Sequence, residues 1–253
     1  MLSLTNVSKN FIDKSGNKIS IIDNISFTVN DGEFLSILGP SGCGKTTLVN
    51  MLAKQETLSS GKISLSDNEI DQKISVVWQE DSLLPWLTVQ KNIEYPLKIQ
   101  GVSRNERKEL AFEFVNKIGL KGFENYYPNR LSLGMKKRVA LAAGLITKPL
   151  LLLMDEPFSA LDVYTKRQIE DEVMNLWDEI KATIILVTHD VNEALALSDR
   201  IIVLSKRPAI IKTDINNDLP RPRIISKLFR ENDFHNRVQM LWNELLDNEN
   251  NEN

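Results

Sequence analysis

The sequence predicts an α/β fold, on three observations. First, Phe34-Leu35-Ser36-Ile37-Leu38 reads as a buried strand and Thr46 to about Lys54 as a helix, with a glycine-rich loop between them. Second, Leu150 to Met154 and Thr183 to Val187 are apolar runs of strand length, which suits central parallel strands covered on both faces. Third, residues 2–7 and 19–29 alternate apolar and polar positions, as in Ile21, Asp23, Ile25, Phe27 and Val29, which argues half-buried strands.

The loop is Gly39-Pro40-Ser41-Gly42-Cys43-Gly44-Lys45-Thr46-Thr47, a match to G-x-x-x-x-G-K-[ST] without a mismatch. Its glycines let the backbone fold tightly, so that successive N–H groups point inward at phosphate oxygens. The helix N-terminus adds partial positive charge. Lys45 is placed to reach the β and γ phosphates, and Thr46 to ligate Mg²⁺. Cys43 reads as a small residue that suits the loop.

At 253 residues, the chain has room for one large α/β domain or a core with a smaller insertion. A net charge of −3 argues against a surface built to coat nucleic acid. No apolar run approaches 18 residues, so no membrane span is expected. Met1-Leu2-Ser3-Leu4-Thr5 has no basic region leading an apolar stretch, so no signal peptide is expected. The single cysteine excludes a disulfide scaffold and fits a cytosolic setting.

Taken in order, Asp13 to Asn17 forms a turn, and Phe11 stands just before it. An aromatic there can stack on a base, but composition alone favours a packing residue. Lys62 to Leu65 and Lys73 to Trp78 read as strands, the second delivering Gln79 to the sheet edge, within reach of Mg²⁺ or a water. Helical patterns at about 88–99, 104–119 and 134–147 make residues 81–147 look like a helical insertion. Ser132 is an N-cap candidate for the third helix, whose start is a second candidate anion site. The strand from Leu150 ends in Asp155, which can hold Mg²⁺ through water, and Glu156, which can take a proton from an attacking water. Pro157 to Asp162 caps a helix running to about Ile180. The strand Thr183 to Val187 leads to His189, at the sheet edge where a γ-phosphate would sit. Residues 200–204 and 209–214 read as strands. Asp218 to Arg223 is a rigid basic connector, two helical stretches follow at about 223–230 and 232–247, and Asp247 to Asn253 is expected to be disordered.

Together the phosphate loop, Gln79, Leu131-Ser132-Leu133-Gly134-Met135, Leu151 to Glu156, Ser159-Ala160-Leu161-Asp162 and His189 occur in the order of an ATP-binding cassette. The chain resembles the nucleotide-binding subunit of an ABC transporter from end to end. The resemblance implies a P-loop NTPase cassette over residues 1–253. It would have an antiparallel β subdomain, a helical subdomain at about 81–147 and a C-terminal extension at about 218–253. It also implies a head-to-tail homodimer with each ATP between the phosphate loop of one copy and the signature loop of the other. Phe11 matches the adenine-stacking aromatic, against its plain reading as a packing residue. Lys45 and Thr46 match the phosphate and Mg²⁺ ligands, and Gln79 the residue that couples nucleotide to the membrane partner. Ser132 and Gly134 match the signature contacts, Asp155 the Mg²⁺-organising acid, Glu156 the base, His189 the γ-phosphate switch, and Asp162 the loop that links the two sites.

Leu83-Leu84-Pro85-Trp86-Leu87-Thr88-Val89, Met135 and Asp218 to Arg223 look like the nitrate/sulfonate/taurine-type importers. The implied function is ATP hydrolysis that powers import of a small solute. The implied partners are permease subunits and an extracytoplasmic solute-binding protein, with peripheral attachment at the cytoplasmic face of the membrane. No direct nucleic-acid binding is expected. The alternatives are a soluble cassette ATPase acting on nucleic acid or ribosomes, and an ATP-dependent clamp that hydrolyses weakly. The clamp is suggested by Leu133, where the family usually has glycine. A further departure is Leu141-Ala142-Ala143-Gly144-Leu145, which lacks the usual arginine. Leu133 is expected to weaken the signature contact without abolishing it, and Leu133→Gly to raise permease-coupled turnover severalfold, by about 1 kcal/mol of relieved strain or clash. Positive φ at Leu133 would cost about 1–2 kcal/mol, whereas with negative φ the side chain can turn away and little is lost.

Overall fold

The computed structural model describes residues 1–65, 74–80 and 83–250, with side chains described through residue 245. In chain order the elements are β1 (Leu2–Ile12), β2 (Lys18–Val29), β3 (Phe34–Leu38), α1 (Lys45–Leu52), β4 (Ser60–Leu65), β5 (Ile74–Val77), α2 (Val89–Ile99), α3 (Arg104–Lys117), α4 (Leu133–Leu145), β6 (Leu151–Asp155), α5 (Val163–Ile180), β7 (Thr183–Thr188), α6 (Val191–Leu197), β8 (Arg200–Leu204), β9 (Ile211–Asn216), α7 (Ile225–Leu228) and α8 (Asn232–Asn250). They divide into two compact units, Met1–Ile70 with Thr183–Asn253, and Asp71–Ala182.

In the first unit β1 pairs antiparallel with both β2 and β4, in the order β2-β1-β4. Both long strands outrun the regular alternation. The pairing slips between Leu4 and Val7, between Val7 and Lys9, and between Lys9 and Asn10, and Asn6 takes positive φ. Such bulges break the two-residue period, so a pattern that ends at residue 7 belongs to a strand that continues to Ile12. Asp13 closes the hairpin by accepting from the N–H groups of Ser15 and Asn17, each at 2.8 Å.

The same unit holds strands in the order β7-β3-β8-β9. β3 runs parallel to both its neighbours, and β9 is antiparallel to β8. All residues of β3 and β7 are buried, which is why both are mostly apolar, Ser36 being the one polar residue inside β3. The basic connector turns inward. Arg223 is buried and donates to the carbonyls of Leu219 and Ser198, while Arg221 donates to Leu197. Both thus satisfy chain ends at the C-terminus of α6, where the helix leaves carbonyls unpaired and favours cations. Burial lowers the Arg223 guanidinium to about 10. Disorder was expected from Asp247, but residues 247–250 continue α8. Residues 251–253 lie outside the described residues.

In the second unit β5 and β6 pair in parallel, with Val77 opposite Met154. α2 packs on α3 and α4, and α4 packs on α5 and β5. Thr88, Ser103 and Ser132 cap α2, α3 and α4, each accepting a backbone N–H. Lys73, expected to open β5, and residues 81 and 82, expected to open the helical stretch, lie outside the described residues.

Arg138 of α4 meets Glu172 of α5 at 3.0 Å, while Oε2 of Glu172 is buried with no hydrogen-bond partner. Burial therefore pushes the Glu172 carboxyl up from 4.5 to about 7, opposed by Arg138 and helped by Asp171. Between those two values the folded chain holds a proton that the unfolded chain has released. Stability from this group is therefore full below about 4.5 and is lost as pH rises through about 7. Glu172→Gln is expected to remove that slope. Urea denaturation at pH 5 and pH 8 should show wild type losing roughly 1 kcal/mol relative to the variant, the full linkage value being reduced by solvent screening. Parallel pH profiles for the two proteins would count against the buried-carboxyl account.

Candidate functional site

β3 delivers Gly39 to the carboxyl edge of its sheet, and the loop turns there into α1. Gly44 is the N-cap of α1, with φ 127°. A Cβ at this position would meet Ile21 Cγ2 at 2.9 Å in a backbone region that L-residues rarely adopt. Only glycine can therefore hold the last turn of the loop against β2. Lys45 is buried, and its Nζ donates to the carbonyls of Gly39 and Pro40 at 2.8 and 3.0 Å. Ser41, Gly42 and Thr46 are exposed, and Pro40 and Thr47 are half-buried. Cys43 is buried, and burial pushes its thiol up against the pull of Lys45 and Arg207. That environment disfavours the thiolate and fits the reading of Cys43 as a small packing residue. The cradle fits a polyphosphate: exposed loop positions, a helix N-terminus and a buried ammonium converge on one turn.

β7 lies beside β3 with Thr188 opposite Leu38. Gly39 and His189, the next residue on each strand, therefore leave the sheet side by side. His189 is exposed, and the turn that carries it is held by Thr188. The Thr188 hydroxyl donates to Glu193 Oε2 at 2.5 Å and accepts from the Asp190 N–H at 2.9 Å.

Phe11 lies near the end of β1, with its ring partly exposed. Lys9 Nζ stands 4.7 Å from the ring centroid and is itself tied to Glu56 at 2.7 Å and to the Thr57 carbonyl at 2.8 Å. A cation on one face of an aromatic ring is an attractive contact that fixes the ring. Lys9 was not singled out from the sequence, because its partners are 47 and 48 residues away.

The second unit holds the other candidates. The Val77–Met154 pairing brings Gln79 and the pair Asp155–Glu156 out at one end of β5 and β6. Asp155 is buried at its strand tip. Glu156 is half-buried and takes φ 44°, the left-handed region. Gln79 is exposed, and its carbonyl accepts from buried Lys137 at 2.5 Å.

Ser132 Oγ accepts from the Met135 N–H at 3.3 Å, as an N-cap should. Gly134 follows on α4, where a Cβ would meet Thr165 Cγ2 at 2.6 Å. Thr165 belongs to the first turn of α5, and its N–H donates to Asp162 at 3.0 Å. Ser132, Gly134 and Asp162 are therefore drawn together by the close seating of α4 on α5. Hydrogen bonds from Thr165 hold the Asp162 carboxyl below its ordinary value. Leu133 is the first residue of α4 and is not among the positive-φ residues. The backbone strain on which part of the expected gain from Leu133→Gly rested is thus missing.

An open cavity of about 790 Å³ lies over α2 and α3, lined by Trp86, Tyr95 and the cations Lys91, Lys98, Arg104, Arg107 and Lys108. Among the described residues Glu94 is the one acid in its lining, and Arg107 meets it at 3.6 Å. Trp86 is 70% exposed. Among the described residues no cluster of three His, Cys, Asp or Glu side chains is arranged to hold a metal. Among them, too, no helix is long and apolar enough to cross a membrane.

A family profile described as ABC transporter matches residues 22–159. An uncharacterised ABC transporter ATP-binding protein of Methanocaldococcus jannaschii is 44% identical over 225 residues, covering 88% of this chain and 84% of the relative. An aliphatic sulfonates import ATP-binding protein of Bacillus cereus is 39% identical, covering 88% of each. A nitrate import ATP-binding protein of Synechocystis is 39% identical, covering 87% of this chain and 83% of the relative. Among solved structures, a dimeric post-hydrolysis ATP-binding cassette bound to ADP and Pi superposes with a TM-score of 0.76 at 32% identity. It covers 87% of this chain and 100% of its own.

Proposed function

Because the chain belongs to the ABC transporter family and is one of its ATPases, we propose that it hydrolyses ATP to drive import of a small solute of the nitrate, sulfonate or taurine kind through a partner permease. The observation that carries this reading is the cradle at the end of β3, with Lys45 buried in it and glycine required at position 44. The solute class is supported by the names of the sulfonate and nitrate import relatives.

In this reading Gly39 to Thr47 hold the phosphates, Phe11 stacks on the base, and His189 senses the γ-phosphate. Thr46, Asp155 and Gln79 would hold Mg²⁺, which when bound neutralises charge on the phosphate oxygens. A site of few protein ligands suits Mg²⁺, which is commonly shared between one or two side chains and substrate phosphates. Glu156 positions and deprotonates the attacking water.

Two copies pair, as in the dimeric solved cassette. Ser132 and Gly134 of each copy then meet the ATP on the other copy's loop, and Asp162 links the two sites. Binding closes the dimer and hydrolysis releases it. An extracytoplasmic solute-binding protein supplies the solute, and the chain sits on the cytoplasmic face of the membrane through its permease.

The groove around Trp86 is the permease dock in this reading. With five cations against one paired acid among the described residues, it suits a cytoplasmic helix that carries carboxylates. Lys91→Glu with Lys98→Glu is expected to weaken permease association at least tenfold and to uncouple transport in reconstituted vesicles, with MgATP binding retained. Transport at the wild-type rate would refute the dock. A wild-type chain that hydrolyses no ATP with or without permease would refute the function itself.

A further inference from the structure

We propose that Arg207 is a positioning residue for the nucleotide, one that braces the phosphate loop from outside. This rests on the ATP reading of the loop. The turn 205–210 follows β8, which runs beside β3 with Val203 opposite Leu38, so turn and loop leave the same sheet edge.

Its conformation is held within the turn and against β2. Ser205 Oγ accepts from the Ile210 N–H at 2.9 Å. The Ala209 N–H donates to the Ile21 carbonyl at 2.8 Å, and the Ala209 carbonyl accepts from Asp23 at 2.9 Å. Ile21 is the residue on which Gly44 is seated. From this clamped turn Arg207 Nη2 donates to the Gly42 carbonyl at 2.6 Å.

Gly42 is exposed and has φ 77°, and a Cβ there would meet nothing within 4 Å. Little packing holds the tip of the loop on that side. The carbonyl of a peptide unit and the N–H of the next residue belong to one plane. On the other side of that plane the Cys43 N–H donates to the Pro40 carbonyl at 3.3 Å, so fixing the Gly42 carbonyl outward holds this internal turn of the loop closed over Cys43. Arg207 acts through the loop, and a guanidinium–carbonyl bond is charge-assisted and stronger than a neutral one.

The test uses the full chain with Arg207→Ala and Arg207→Lys. N-ethylmaleimide labelling of Cys43, without nucleotide, reads the loop directly, because the thiol is 2% exposed. Removing the Arg207 charge would by itself slow labelling, since that charge holds the thiol pKa down. Faster labelling therefore reports an opened loop. Arg207→Ala is expected to label about fivefold faster, and to bind MgATP about five- to tenfold more weakly, with kcat at saturation within about twofold. Arg207→Lys, which keeps a charged donor, should recover part of both effects. Unchanged labelling and affinity in Arg207→Ala, even with a lowered melting temperature, would overturn the proposal. A wild-type chain that bound no nucleotide would sink the ATP reading instead, and the labelling rates would still decide what Arg207 does to the loop.

Discussion

Glu156→Gln is expected to slow ATP hydrolysis by roughly 10²–10⁴-fold while leaving MgATP affinity within about twofold, the range set by removal of a general base. All five residues of β6 are buried, so the strand tip is held by the sheet and cannot drift when the side chain changes. Glu156 sits just beyond it in the left-handed region, with its carbonyl accepting from Ser159 at 3.1 Å. Such a backbone costs a non-glycine residue on the order of 1 kcal/mol, and surrounding structure must hold it there. Glutamine has the same length and keeps that backbone, so geometry survives and basicity does not. With hydrolysis blocked, the ATP-bound form should accumulate as a dimer. Single-turnover hydrolysis and gel filtration with MgATP check both statements. Hydrolysis at the wild-type rate would remove Glu156 from the role of base.

Much of this architecture was legible because its causes are local. The β3–loop–α1 unit announces itself through glycine spacing, and β6 and β7 through apolar runs that only a doubly covered strand tolerates. Ser132 was legible as a cap for the same reason, since its partner is three residues away. What escaped depends on residues distant in the chain. Arg207 reaches a loop 165 residues earlier, from a turn with no motif of its own. Lys9 is turned toward Phe11 by an acid in the segment after α1, and no periodicity records that. Asp218 to Arg223 reads as a rigid basic connector, but the sequence does not say that the Arg221 and Arg223 side chains close the end of α6. The end of β1 was missed because bulges shift its register, which erases the alternation while the strand continues.

Lys45→Ala is expected to fail earlier in the cycle than Glu156→Gln, by losing the nucleotide itself. The Lys45 ammonium is buried, and two loop carbonyls hold it at 2.8 and 3.0 Å. A buried ammonium presents a full positive charge to an anion, and the low local dielectric strengthens that attraction. Removing it deletes at least one charge-assisted hydrogen bond to phosphate, about 1.5–3 kcal/mol, which is roughly 10- to 150-fold in affinity. The fold should survive. Lys45 opens α1, where alanine is the strongest helix former, and Gly44 still supplies the cap position. Equilibrium binding of MgATP and MgADP measures the loss. Because Lys45 is placed to reach both the β and γ phosphates, ATP should lose more than ADP. Glu156→Gln should show neither loss, so the two variants separate binding from chemistry. Wild-type affinity in Lys45→Ala, with the chain folded by circular dichroism, would mean that the phosphates are held elsewhere.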